Sequence, residues 1–314
     1  LRLSWPELQV LYDVYGEAEI PEYFLDHLEG YRGSRPVRIG NAAHAQRQLD
    51  VYGALIQAAF DFACSGSQLA AVEGRLLVQF AQTVCRLWQE PDHGIWETRG
   101  EPRHFVFSKL MCWVALDRVS ALQAMGRVPR HDEQRFKRER DAIRAAIESR
   151  GFDATVGSYV AAFDAVGEAD AALLQMARLG FHEPSDPRLV GTEMHVRRCL
   201  GHRHALIDRY RTKGQDALPP GEGAFVACAF WAVEARARRG DREGAVSDFE
   251  KLLKLANDVG LYSEEIAPDT GEMLGNFPQA FTHLALINAA LALQDPSAGS
   301  RAQDATDDTS GTLA

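Results

Sequence analysis

Two kinds of helical segment alternate along this chain, and that alternation limits the folds open to it more than any other feature. Apolar residues recur at three- and four-residue spacing over 43–64, 68–89, 105–125, 131–149, 168–179, 187–201, 222–239, 242–258 and 277–293, a period that predicts helix in each. Glycines at 126, 151, 180, 240 and 260 follow several of these segments and suit helix ends. Three stretches, 105–122, 224–233 and 281–293, are apolar nearly all round, whereas 131–149 and 242–258 keep a charged face. A helix apolar on every side needs neighbours on every side. Inner helices ringed by amphipathic outer ones make two concentric layers, so the expected class is all-α and the expected architecture an α/α toroid. No motif repeats at a fixed period, which argues against a simple solenoid. Strand signals are short, around Ile39 and over 158–163.

Composition narrows the partners. The 314 residues allow one large or two medium domains, and a hydrophobic fraction of 46% excludes wholesale disorder. A net charge of −10 offers no positive field for phosphates, so nucleic acid is not expected. The longest apolar run, 224–233, is about half of what a membrane span requires. Cys64, Cys85, Cys112, Cys199 and Cys228 are odd in number and lack paired spacing; they read as free, small apolar side chains in a reducing compartment. With no signal-peptide pattern at the start, the expected location is cytoplasmic. His195, His202 and His204 are irregularly spaced and no carboxylate set completes a metal site. Gly-rich phosphate loops and Ser–His–Asp patterns are absent, so no cofactor is expected. Segment 131–149 mixes both charge signs and reads as a solvated outer face. Residues 295–314 lack periodicity and are expected to form a disordered acidic tail.

Polar loops on a helical scaffold are where sites lie, and three loops stand out: 16–41, 90–104 and 260–277. In the second, Glu97 follows Trp96 directly, just before an inner helix. A carboxyl against an indole is poorly solvated, which favours its protonated form and suits a general acid. Pairing of Glu97 with Arg99 or Arg103 is the plainer alternative. In the third, Glu264 and Glu265 are adjacent on a loop that turns at Pro268-Asp269-Thr270-Gly271. Neighbouring carboxylates point different ways, so one can face a cavity while the other meets a structural partner. Two carboxyls in acid and base roles are the equipment of glycoside hydrolysis.

The runs that carry these residues are Gly94-Ile95-Trp96-Glu97 with Arg99, Arg103-His104-Phe105 and Ser108-Lys109; Gly30 to Asn41; Gly221-Glu222-Gly223-Ala224-Phe225; Ser263-Glu264-Glu265; and Gly275 to His283. In order and length they resemble glycoside hydrolase family 15, the glucoamylase- and trehalase-like inverting α-glucosidases, over about 7–293. The resemblance implies an (α/α)6 barrel, the six-hairpin glycosidase architecture, with the site at one mouth. It puts Glu97 on the general acid and Glu264 on the general base, with Glu265 orienting substrate or base. The acid would protonate the glycosidic oxygen while the base activates water on the opposite sugar face, releasing β-glucose from an α-linked di- or oligosaccharide. Trp96, Arg35, Arg38, Arg211, Glu222 and Glu265 are the implied sugar contacts, with Arg32 and Arg209 as neighbours whose register stays open. Lys109, within an inner helix, is expected to face the cavity mouth. No membrane, metal or cofactor enters this scheme, and a homo-oligomer is compatible with it.

The chain departs from the family at its start. The β-sandwich usual in bacterial members is missing. So are the Trp-Asp and Arg-Asp-Ala runs that open the barrel and hold the terminal glucose; Arg140-Asp141-Ala142 lies in a charged helix and does not replace them. Residues 1–294 are therefore expected to form a barrel incomplete at its N-terminal side, with hydrolysis weak or absent in the isolated polypeptide, because binding the sugar is what drives catalysis. The competing classes are another helical-toroid carbohydrate enzyme, a lyase or phosphorylase, and a non-enzymatic helical carbohydrate-binding or interaction protein.

Overall fold

A computed structural model describes residues 7–30, 33, 35–163, 165–211 and 222–294. The expected tail at 295–314, Tyr31, Arg32 and Ser34 lie outside the described residues. The chain forms two compact units, 1–145 and 146–314.

In the first unit a two-stranded antiparallel pair, β1 (Tyr23–Phe24) with β2 (Arg38–Ile39), precedes helices α1 (Asp50–Cys64), α2 (Ala71–Leu87) and α3 (Val106–Ala124), and α4 (Glu133–Arg150) runs across the division. α3 is buried around its whole girth from Val106 to Leu116, as its nearly all-apolar sequence requires. α1 lies against it so closely that a Cβ on Gly53 would stand 2.2 Å from the Met111 carbonyl oxygen; glycine permits that approach. α2 turns Leu77, Phe80, Ala81 and Val84 inward. α4 buries Phe136 and Ile143, and its Arg140 pairs with Asp117 on α3 at 3.1 Å, so its mixed charges do form an outer face. α1 starts later than its apolar pattern predicts. Asn41 caps a single 3-10 turn at Ala42–Ala45, and the chain then extends to Leu49 before the helix begins.

The second unit holds the antiparallel pair β3 (Phe152–Asp153) and β4 (Ser158–Tyr159), then α5 (Met176–Leu179), α6 (Pro187–Leu200), β5 (Ala224–Phe225), α7 (Val226–Arg238), α8 (Arg242–Leu253), β6 (Glu265–Ile266), β7 (Met273–Leu274) and α9 (Ala280–Gln294). The helix expected at 168–179 is a 3-10 turn capped by Asp170, followed by one α-helical turn that ends at left-handed Gly180. α6 opens with Asp186 as its cap and Pro187 in its first turn, a favourable start. α7 is buried nearly throughout; α8 packs outside it, with Asp248 gathering Arg197, Arg236 and Lys251 at 2.8–3.1 Å. Among the described residues no helix is long and apolar enough to cross a membrane.

One expectation fails here. α9 is apolar all round but not covered all round. Its small residues Ala285, Ala289 and Ala292 are buried, while Phe281, Leu284, Ile287 and Leu291 are each at least half exposed. Small side chains let α9 approach α7 closely, and the large ones fall on the opposite face. An apolar period reports what a helix tolerates, not how many sides its neighbours occupy. Substitution at the two faces should therefore differ. Ala289→Leu should lower stability by about 1–3 kcal/mol through overpacking, and Leu291→Gln should change it by less than about 0.5 kcal/mol, both measured by urea unfolding.

Candidate functional site

In the first unit the loop bearing Glu97 is tied at its base and along its length. Asp92 and Arg103 exchange backbone hydrogen bonds at 2.9 and 2.8 Å, closing the loop. The buried Asp92 carboxylate accepts from the Leu49 amide at 2.9 Å and the Ser108 hydroxyl at 2.7 Å, both through Oδ2, which joins the loop to the first turns of α1 and α3. The His93 amide donates to the Arg47 carbonyl at 3.0 Å, and the Gln46 side-chain amide donates to the Thr98 carbonyl at 2.9 Å. Held on both sides, Glu97 adopts a left-handed backbone with φ of 53°. For a residue with a side chain this costs about 1–2 kcal/mol, and such strain concentrates at functional sites.

That conformation separates two neighbours. Trp96 is buried and Glu97 is exposed, so the carboxyl is not enclosed against the indole as the sequence suggests. Its Oε2 accepts from Asn41 Nδ2 at 2.9 Å. The expected arginine partners are engaged elsewhere: Arg99 pairs with Glu22 at 3.2 Å, and Arg103 stacks over Phe105. Arg38 is exposed, lies over Phe24 and reaches Glu22 at 3.9 Å; Arg35 is exposed in the loop before β2. Lys109 corrects another expectation. It is fully buried, and its Nζ donates to the Glu90 carbonyl at 2.5 Å, so it supports the loop from beneath and does not face solvent.

Asp50, which opens α1, is a group that sequence reasoning missed. It is buried, and its Oδ1 has no hydrogen-bond partner among the described residues. Burial, then the charge of Asp92 and further that of Glu97, push its carboxyl up to about 7. Burial also raises Asp92, against the bonds from Leu49 and Ser108 and the charge of Lys109.

In the second unit a three-stranded antiparallel sheet, ordered β5-β6-β7, carries the other acidic pair. Phe225 pairs with Glu265, and Glu265 with Leu274. Glu264 sits in the bend just before β6 and Glu265 opens the strand, and their carboxyls diverge to different partners. Glu265 accepts from the Gly223 amide at 3.0 Å and lies 3.8 Å from Arg209. Burial, together with the charge of nearby Glu222, pushes its carboxyl up to about 7. Glu264 accepts through Oε2 from both the main-chain and side-chain nitrogens of Asn276, at 3.1 and 2.9 Å. Arg209 also meets Glu222 at 2.5 Å and stacks over Phe225. Burial works against its charge, but the hydrogen bond and charge of Glu222 prevail and raise it. Of the two arginines left open by the sequence, Arg209 thus joins Glu222 and Glu265, while Arg211 is exposed. His195 bonds to the Gly167 carbonyl and Arg198, and His202 to Asp208. Among the described residues no group of His, Cys, Asp and Glu is arranged to hold a metal ion.

A sequence profile described as "Glycosyl hydrolases family 15" matches residues 6–291. The chain belongs to this family. It is 42% identical over 286 residues to a trehalase of Mycolicibacterium smegmatis, a match that covers 90% of this chain and 42% of the trehalase. The chain thus spans less than half the length of that relative. Among solved structures it is similar to a wild-type glycosidase, with a TM-score of 0.69 at 18% identity over 83% of this chain and 72% of the other. It is also similar to a bacterial glucoamylase complexed with acarbose, with a TM-score of 0.58 at 13% identity over 81% of this chain and 41% of the other. These likenesses show the fold, all-α and of the (α/α)6 glycosidase type.

The raised carboxyls of the two units make a linkage prediction with one sign. The unfolded chain releases the Asp50 proton near its ordinary value of 3.8, while the folded chain keeps it to about 7. Glu265 behaves alike, from 4.5 to about 7. The folded state therefore holds more protons between about pH 4 and 7, and stability falls as pH rises through that window, by on the order of a few kcal/mol for Asp50. In thermal unfolding, Asp50→Asn should match the parent below about pH 4 and exceed it by a margin that grows up to about pH 7 and then stays constant. An equal decline in both proteins would contradict the assignment.

Proposed function

We propose that this family-15 chain carries the acid and base of an inverting α-glucoside hydrolase, with Glu97 as general acid and Glu264 as general base. The observation that supports this reading best is common to both carboxylates. Each is anchored through Oε2 by an asparagine amide, Asn41 for Glu97 and Asn276 for Glu264, and neither Oε1 has a hydrogen-bond partner among the described residues. An acid needs an oxygen that delivers a proton to the glycosidic oxygen. A base needs one that takes a proton from water. An anchored carboxylate with one oxygen left over is built for either role.

In this scheme Glu97 protonates the leaving oxygen while Glu264 activates a water on the other face of the sugar ring. Inversion requires the two carboxyls to stand roughly 6.5–9.5 Å apart, leaving room for that water. The expected product is β-glucose. Arg209 and Glu222 are on hand with Glu265 to bond sugar hydroxyls, since a planar guanidinium forks two donors toward vicinal oxygens. Trp96, Arg35, Arg38 and Arg211 belong to the same proposal as further sugar contacts. Trehalose is the first substrate to test, because the similar curated protein is a trehalase. A cytoplasmic site of action accords with the five cysteines, all free.

The reading predicts that, in a protein that carries this chain and turns over trehalose, Glu97→Gln and Glu264→Gln each lower glucose release from trehalose by at least about 1000-fold with little loss of folding stability, since the first side chain is exposed and the second only half-buried. Glucose release by coupled assay, with unfolding measured in parallel, checks both. Near-parental turnover in either variant would refute the assignment of that residue.

A further inference from the structure

We infer that Asn276 is the positioning residue of the base: it clamps one oxygen of Glu264 so that the other alone is presented to water. This rests on the reading of Glu264 as base and names the device that aims it. Residues 264 and 276 are joined three times. The Glu264 amide donates to the Asn276 carbonyl at 2.9 Å, which extends the β6–β7 pairing. The Asn276 amide returns a bond to Glu264 Oε2 at 3.1 Å, and Asn276 Nδ2 donates to the same oxygen at 2.9 Å. Two donors from one residue on one oxygen fix both the position and the rotation of the carboxylate.

The preceding residue clears the space this needs. Gly275 has φ of 71°, and a Cβ there would stand 2.8 Å from Glu264 Oε2 and 3.0 Å from Glu264 Cβ. Glycine is thus required twice, by backbone conformation and by the carboxylate packed against it. Glu265 cannot share the clamp, because the strand sends it to the Gly223 amide and Arg209. Asn276 itself is exposed and supports no core. An uncharged amide also suits this role, because it donates at every working pH and adds no charge beside the base.

The test uses Asn276→Ala, which loses the side-chain donor alone, beside Asn276→Asp, which keeps the shape, loses the donor and adds a charge beside the base. If Asn276 only closes the hairpin through its main chain, Ala substitutes well. If it clamps the base, both variants lose kcat by about 10–100-fold with KM for trehalose changed less than about threefold. Their thermal midpoints should stay near the parent's. Crystal structures of both variants should show the Glu264 carboxylate away from its parental position, a readout independent of turnover. An unmoved carboxylate or an unchanged kcat in both variants would overturn the inference. Glu264→Gln, assayed alongside, separates the two failures. If it abolishes turnover while the Asn276 variants keep theirs, the clamp is wrong and the base stands; if it keeps turnover, the base is wrong and the clamp has no catalytic meaning.

Discussion

A buried carboxylate must find donors, and the way Asp92 finds them organises the first unit. Its Oδ2 takes the Leu49 amide at the start of α1 and the Ser108 hydroxyl in the first turn of α3, with the buried ammonium of Lys109 close enough to favour its charge. Its backbone meanwhile pairs with Arg103. Helix starts carry unsatisfied N–H groups, and here one acidic residue satisfies one of them while it pins both ends of the Glu97 loop. The left-handed turn at Glu97 persists because the surrounding bonds leave the chain no relaxed alternative.

The second unit solves a different problem by a different means. Two adjacent glutamates would repel if they shared a side. The bend at Glu264 just before β6 divides them: Glu265 turns toward Arg209 and Glu222, and Glu264 toward the Asn276 turn. Glu265 is raised to about 7; Glu264 is bonded at one carboxylate oxygen only among the described residues. Two residues of the same type thus stand in different surroundings.

Much of this was legible in the sequence, and what was not has definite causes. The helical segments and the inner character of α3 and α7 follow from apolar period, which responds to burial and needs no knowledge of partners. Glu97 and Glu264 stood out because their loops break that period with Gly, Pro, Trp and acidic residues. Strands of two residues leave no period at all, so the β5-β6-β7 sheet that separates Glu264 from Glu265 was invisible. Asp50 and Asp92 were missed because a buried carboxylate is spelled like an exposed one; only the donors around it tell them apart. The exposed face of α9 was misread for the converse reason, since Leu284 and Ile287 look the same in a sequence whether or not anything covers them. Arg209 and Arg211 share a loop, and the choice between them needed the position of Glu222.

The central claim is that two fixed carboxylates invert the anomeric carbon through a water activated by Glu264. Proton NMR at early times after trehalose is added, before glucose mutarotates, reads this directly. Inversion turns the attacked α-linked unit into β-glucose while the leaving unit departs as α-glucose, so the account predicts the two anomers in equal amounts. Retention would leave both units as α-glucose. A malto-oligosaccharide, whose leaving unit is not free α-glucose, sharpens the contrast: β-glucose released first supports the account, and α-glucose released first contradicts it.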